Sequence, residues 1–319
     1  MAEPASPQTL AWLFPGQGAQ EVGMGRDLFD ESPPARHLFK TADSLLGYSI
    51  SDLCFEGPAE RLQQTSFAQP ALFTVSLACL AAARALGHPS EEQTAYVAGH
   101  SLGEYTALVA ADALSFEDGL RLVAERGRLM QAAAEQSAGA MAAIIGLDHE
   151  AVAAICGETG AEVCNLNAPG QIVIGGAVEA VTGAMTLALE RGARRGVRLN
   201  VNGAYHTSFM IPAVEGMARA VADAPLSDPR VPIIANTTAE PLATADALRD
   251  ELVQQLTQSV LWQQSIEVLR ARGVTGVIEF GPGRVLTGLA RRIDRSLAVQ
   301  NVSNIESARS LAASTPAPP

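Results

Sequence analysis

The stretch AYVAGHSLGEY (95–105) decides the fold. It opens as a short apolar strand, turns sharply at GHSLG (99–103), and continues as a helix to about residue 113. At so tight a strand-to-helix turn there is no room for Cβ atoms on the flanks, which explains a glycine on each side. The turn lifts the serine hydroxyl off the sheet and sets it at a helix N-terminus, where backbone N–H groups can face an oxyanion. Ser101 is the candidate nucleophile. The competing reading is a small-residue turn that merely joins strand to helix.

Outward from this turn, LAWLFPGQG (10–18) reads as an apolar strand ending in a Pro-Gly turn. Helical periodicity covers 26–46 and 69–86, and a helix over 115–135 opens with a Ser-x-x-Asp cap signal. From residue 139 the texture changes: strand, helix (149–159), two strands split by Pro169-Gly170, helix (178–191), and a last strand over 196–204. That β-α-β-β-α-β order is the ferredoxin-like unit. A helix (208–223), a strand (231–236), a helix (244–257) and a strand (276–283) follow. Alternating strands and helices predict an α/β protein with a mainly parallel sheet covered on both faces. The expected division is a tail (1–9), a large domain (10–138 and 204–302), an inserted small domain (139–203), and a Pro/Ala-rich tail or linker (303–319).

Composition narrows the function. A 48% hydrophobic fraction over 319 residues allows a sizeable core. The net charge of −12 argues against nucleic acid as a partner, because phosphates would be repelled. The apolar run 71–83 is too short to span a bilayer before Arg84, and the N-terminus lacks a basic start and an apolar segment. A cytoplasmic protein without a membrane partner is expected. Cys54, Cys79, Cys156 and Cys164 have no C-x-x-C spacing and read as small apolar residues. The five histidines show no metal-ligand spacing, so no metal is expected.

A serine nucleophile needs a base. His37 and His149 fall in helical stretches, His88 lies in a turn beside Pro89, and His100 adjoins the nucleophile in sequence. His206, after a strand end in NGAYHT (202–207), remains; a structural histidine is the alternative. No aspartate between Ser101 and His206 stands out, so a dyad oriented by a backbone carbonyl is expected rather than a triad.

The ordered set FPGQGAQ (14–20), GPAERL (57–62), QPAL (69–72), GHSLGEY (99–105), ERGRLM (125–130), GAMAAIIGL (139–147), NAPGQIVIGG (167–176), GAYH (203–206) and EFGPGRVLTGL (279–289) resembles the malonyl-CoA:acyl carrier protein transacylase family. That family includes the acyltransferases of polyketide synthases. The resemblance covers about residues 11–300 and implies an α/β-hydrolase-like large domain with a ferredoxin-like small one. It implies Ser101 as nucleophile, His206 as general base, and the backbone N–H groups of Gln17 and Leu102 as the oxyanion hole. It also implies Arg126 as the holder of the malonyl carboxylate and Gln69 as a pocket-lining residue. Tyr205 and Leu102 match the malonyl-selective pattern. The substrates implied are malonyl-CoA and an acyl carrier protein, with no bound cofactor. Leu261 departs from relatives that carry glutamine there, near the carbonyl that orients the histidine.

Three other readings compete: a homologous acyl hydrolase, which needs no carboxylate clamp; an unrelated carboxylesterase; and a non-catalytic carrier-docking module. Polyketide or fatty acid biosynthesis is the expected setting, and GAYH, which resembles the GAFH form of free-standing polyketide acyltransferases, leans toward the former. Arg191, Arg194, Arg195 and Arg198 form the candidate basic patch for an acidic carrier, with a solvated charge run as the alternative.

Overall fold

The computed structural model describes residues 9–88, 91–201 and 203–314. In chain order the strands are β1 (Leu10–Phe14), β2 (Thr94–Gly99), β3 (Gly139–Ile145), β4 (Glu162–Ala168) and β5 (Gln171–Ala177). They continue with β6 (Arg195–Arg198), β7 (Ile233–Ile234), β8 (Pro241–Leu242), β9 (Gly276–Phe280) and β10 (Ala298–Val302). Before the second sheet come α1 (Arg26–Glu31), α2 (Pro33–Leu46), α3 (Ile50–Glu56), α4 (Ala59–Leu62), α5 (Thr65–Ala85), α6 (Leu102–Ala110) and α7 (Phe116–Gln136). Two helices, α8 (His149–Thr159) and α9 (Val178–Glu190), lie between its strands. After it come α10 (Ile211–Asp223), α11 (Ala245–Gln254), α12 (Trp262–Ala271), α13 (Val285–Ile293) and α14 (Ile305–Ser314).

One sheet has the order β10-β9-β1-β2-β7-β8, parallel except for the β7–β8 pair. All five residues of β1 are buried, as are all five of β9, because helices cover both faces. The other sheet has the order β4-β5-β3-β6 and is antiparallel throughout. With α8 and α9 as crossovers, this is the β-α-β-β-α-β order read from residues 139–203. β4 also bonds to the segment just before α12: Leu166 N–H donates to Val260 O at 2.9 Å, and Val260 N–H donates to Cys164 O at 2.8 Å.

Tertiary context changes several expected elements. The helix expected over 26–46 breaks in two at Ser32, which takes extended dihedrals ahead of Pro33-Pro34 and caps α2 at Ala35 N–H. The strand expected over 196–204 shortens to β6, and the chain beyond it lines the site. The expected tail from 303 is helical in its first part: α14 buries Ile305, Ala308 and Leu311 against the main core, and residues 315–319 lie outside the described residues. α5 is long and apolar enough to cross a membrane by length and composition, but 83% of its apolar window is buried inside the protein. It is a core helix packed against α2 and α7.

Candidate active site

β2 delivers the chain to the turn at Ser101, and α6 carries it away. Ser101 itself has φ 53° and ψ −106°, a region that residues with a Cβ rarely occupy. The flanking glycines make this possible. A Cβ on Gly99 would lie 1.8 Å from the Gly103 carbonyl carbon, and one on Gly103 would lie 2.0 Å from Phe14 O. Gly103 and Glu104 donate their N–H groups to the carbonyls of His100 and Ser101. Ser101 N–H is taken by Asn236 Oδ1 at 2.7 Å. The N–H of Leu102, at the first position of α6, has no such partner within the turn. Across from it, the Pro15–Gly18 loop approaches closely, for a Cβ on Gly16 would sit 2.4 Å from His100 O. Gln17 in this loop lines the same cavity, its side-chain Nε2 donating to Thr65 Oγ1 at 3.3 Å.

His206 comes from the turn after residue 203 and also has positive φ, at 61°. Its Nε2 lies 2.8 Å from Ser101 Oγ, and its Nδ1 lies 2.6 Å from Gln255 O. A carbonyl can only accept, so Nδ1 carries the proton and Nε2 is free to accept from the serine. Burial, and then the charge of Arg126, lower the imidazole pKa to about 3, which keeps it neutral. Expected near Leu261, the orienting carbonyl is instead that of Gln255, just past the end of α11. Leu261 donates its N–H to Asn236 O at 2.7 Å, and its side chain packs against the core of the second sheet.

Arg126 projects from the buried face of α7 and is 1% exposed. Its Nη1 donates to Gln69 Oε1 at 2.9 Å, and its Nη2 donates to Gln255 Oε1 at 2.5 Å and Ser101 Oγ at 3.1 Å. Its Nε has no partner, and its guanidinium sits 5.0 Å from the Tyr105 ring centroid. Arg128, two residues on, faces outward and pairs with Glu125. Tyr205 is 6% exposed and its hydroxyl lies 2.6 Å from Thr65 Oγ1. His100 turns away from the serine, its Nε2 2.8 Å from Asn167 Oδ1.

These groups border a cavity of about 100 Å³. It is lined by Ser101, Arg126 and His206 together with Met141 of β3, Asn165 of β4, Leu199 and Val201. A larger groove of about 490 Å³ lies over β10 and α14 and contains none of these residues. All seven site residues expected from sequence line the small cavity. Sequence reading missed Asn236, Gln255 and Glu104, whose roles depend on hydrogen bonds across more than 130 residues of chain. Glu104 is fully buried, and burial followed by the charge of Glu251 raises its pKa well above the ordinary range. Among the described residues, no group of three or more His, Cys, Asp or Glu could hold a metal, and the four cysteines are buried and free.

A mainly parallel α/β sheet, a strained serine at its strand-to-helix turn, and a neutral histidine on the hydroxyl define a protein with an activated-serine centre. Residues 11–316 match the acyl transferase domain family. The chain is 43% identical to the malonyl CoA-acyl carrier protein transacylase of Bacillus subtilis (strain 168), covering 93% of this chain and 94% of that protein. It superposes on an acyl-carrier-protein S-malonyltransferase from Bartonella henselae with TM-score 0.91 at 42% identity, covering 94% and 97% of the two chains. A malonyl-transacylase solved in complex with a type II polyketide acyl carrier protein gives TM-score 0.92 at 37% identity, covering 96% and 99%. The chain belongs to the acyl transferase domain family.

Proposed function

We propose that this protein is a malonyl-CoA:acyl carrier protein S-malonyltransferase working through a malonyl-serine intermediate, in polyketide or fatty acid biosynthesis. The observation that carries the reading is that Ser101 Oγ touches both His206 Nε2 and Arg126 Nη2. A nucleophile beside a neutral base can be acylated; a guanidinium on the same oxygen selects an acyl group that ends in a carboxylate.

His206 Nε2 takes the Ser101 proton as Oγ attacks the thioester carbonyl. The backbone N–H groups of Gln17 and Leu102 hold the resulting oxyanion, each worth about 3–4 kcal/mol when well aimed. The C–S bond breaks, and the coenzyme A sulfur leaves with the proton from His206. The carrier's phosphopantetheine thiol then gives a proton to His206 and attacks the ester, and Ser101 Oγ recovers the proton as it departs. Arg126, supported by Gln69 and Gln255, holds the malonyl carboxylate through both steps. The residues 10–138 and 204–302 serve as the large domain and 139–203 as the small one, with the acyl cavity between them.

A homologous acyl hydrolase is the nearest alternative, and a buried cation on the nucleophile argues against it. Incubation with radiolabelled malonyl-CoA and no carrier separates the two. A transferase retains the label on Ser101 and gives it up to added carrier thiol; steady release of free malonate without carrier would overturn the reading.

A further inference from the structure

Among the buried acids that the acyl-transfer chemistry leaves unused, Glu104 stands nearest the nucleophile in sequence. Glu104 stands in the first turn of α6, three residues after the nucleophile, with no solvent exposure. Its Oε1 accepts from the Asn236 backbone N–H at 3.0 Å, and its Oε2 accepts from Gln255 Nε2. Burying a carboxylate is costly, so what these bonds achieve matters.

Both partners go on to hold functional groups. Asn236 Oδ1 accepts from Ser101 N–H and Asn236 Nδ2 donates to Gly99 O, each at 2.7 Å, which closes the turn around the nucleophile. Gln255 receives the His206 Nδ1 proton on its carbonyl at 2.6 Å and an Arg126 Nη2 proton on Oε1 at 2.5 Å. Glu104 is therefore one residue removed from nucleophile, base and guanidinium together.

Donor and acceptor types leave little freedom here. Arginine only donates, so the Gln255 amide must turn Oε1 toward Arg126 and its NH₂ away. That NH₂ meets Glu104 Oε2 and Ser101 O, the latter at 3.3 Å. The Asn236 backbone group is also a donor. Position 104 must therefore present two acceptors in two directions, which a carboxylate does and an amide of the same shape cannot; burial and the charge of Glu251 oppose the ionised form, while these two donors and the charge of Arg126 favour it. We infer that Glu104 is a positioning residue: it fixes the Gln255 amide, and with it Arg126, while steadying the Ser101 turn through Asn236. The inference rests on the reading of Arg126 as the carboxylate holder.

The test is Glu104→Gln, which keeps size and shape but turns one acceptor into a donor. The quantity to measure is the ratio of kcat/KM for malonyl-CoA to that for acetyl-CoA, in wild type, E104Q and R126A. This ratio does not depend on the fraction of folded enzyme, so a purely structural role would not move it. E104Q should lower the ratio about tenfold or more, the consequence of losing one hydrogen bond to a charged group. An unchanged ratio overturns the inference, whatever the total activity. R126A separates the two claims. If R126A leaves the ratio intact, the carboxylate reading itself fails; if R126A collapses it while E104Q does not, only the Glu104 assignment fails. Should E104Q be insoluble, Glu104→Asp, which keeps two acceptors on a shorter arm, is measured in its place: it should lower the ratio, and a ratio equal to that of wild type overturns the inference.

Discussion

Lowering the pH should leave the first acylation step nearly unchanged over a range in which an ordinary histidine would switch off. An imidazole with the usual pKa near 6.5 is about ten-elevenths protonated at pH 5.5, which would cost about 11-fold in kcat/KM. His206 is held neutral by burial and by Arg126, with its pKa lowered to about 3, and its Nδ1 bond to Gln255 O only partly opposes this. At pH 5.5 well under about 1% of it is charged. The assay is the rate of Ser101 malonylation at limiting malonyl-CoA, taken from about pH 5 to 7.5 by rapid quench. A flat profile is expected, and a limb with an apparent pKa near 6.5 would refute the assignment of a buried neutral base beside a cation. The same shift acts on stability. Between about 3 and 6.5 the unfolded chain binds a proton on this histidine that the folded chain does not, so stability rises with pH there and is lost as pH falls below 6.5. The slope is at most about 1.4 kcal/mol per pH unit, reaching about 5 kcal/mol across the window. Urea unfolding at pH 5 and pH 7 should show a smaller difference for His206→Gln than for wild type.

Arg126→Ala should cost malonyl-CoA about 100-fold or more in kcat/KM, as expected when one member of a buried charge pair is removed, and should spare acetyl-CoA; equal losses in a competition assay would make the arginine structural. Tyr205→Ser should narrow the preference for malonyl over methylmalonyl, which for exclusion of one methyl is worth about 10–200-fold, because the ring and its bond to Thr65 Oγ1 wall one side of the cavity; wild type that uses both thioesters equally would sink this. Charge reversal at Arg194, Arg195 and Arg198 should raise the KM for carrier and leave that for malonyl-CoA alone. Arg191, expected in the same patch, is paired in two bonds with Glu158 at 2.9 and 2.7 Å and should matter least.

The legible parts of this protein are those whose information is local. The Gly-His-Ser-Leu-Gly turn declares itself because its glycines answer a clash between residues four apart. The helix over 149–159 matches α8 at both ends, with Asp148 as its cap and Gly160 as its left-handed stop. The ferredoxin-like sheet followed from element order alone. By contrast, β10 and α14 carry weak patterns and gain their structure from the core they cover: β10 adds to β9, and α14 closes over α5. The carbonyl on His206 could not be read in advance, because any backbone carbonyl can accept, and only the approach of the chain beyond α11 makes Gln255 the one that does.

The hydrogen bonds around Ser101 explain why sequence reading finds the chemistry but not its support. The chemical groups are conspicuous types in a strained turn or on a helix face: a serine, a histidine, an arginine. Their holders are amides: Gln69, which the sequence did point to, and Asn236 and Gln255, which it did not; an amide presents an acceptor and a donor in fixed directions. Asn236 uses both ends of its amide on the turn, and Gln255 uses both ends between Arg126 and Glu104. Neither could be exchanged for an isosteric acid without placing an acceptor against an acceptor, at Gly99 O or at Glu104 Oε2. The support therefore forms one directed chain, in which Glu104 contributes only acceptors and Arg126 only donors. In the proposed reaction a substrate carboxylate would bring further acceptors to the Arg126 end of that chain, where the Nε group lacks a partner. Binding of the acyl group's charge and alignment of the proposed base would then be joined through Gln255, whose side chain faces Arg126 and whose main chain faces His206.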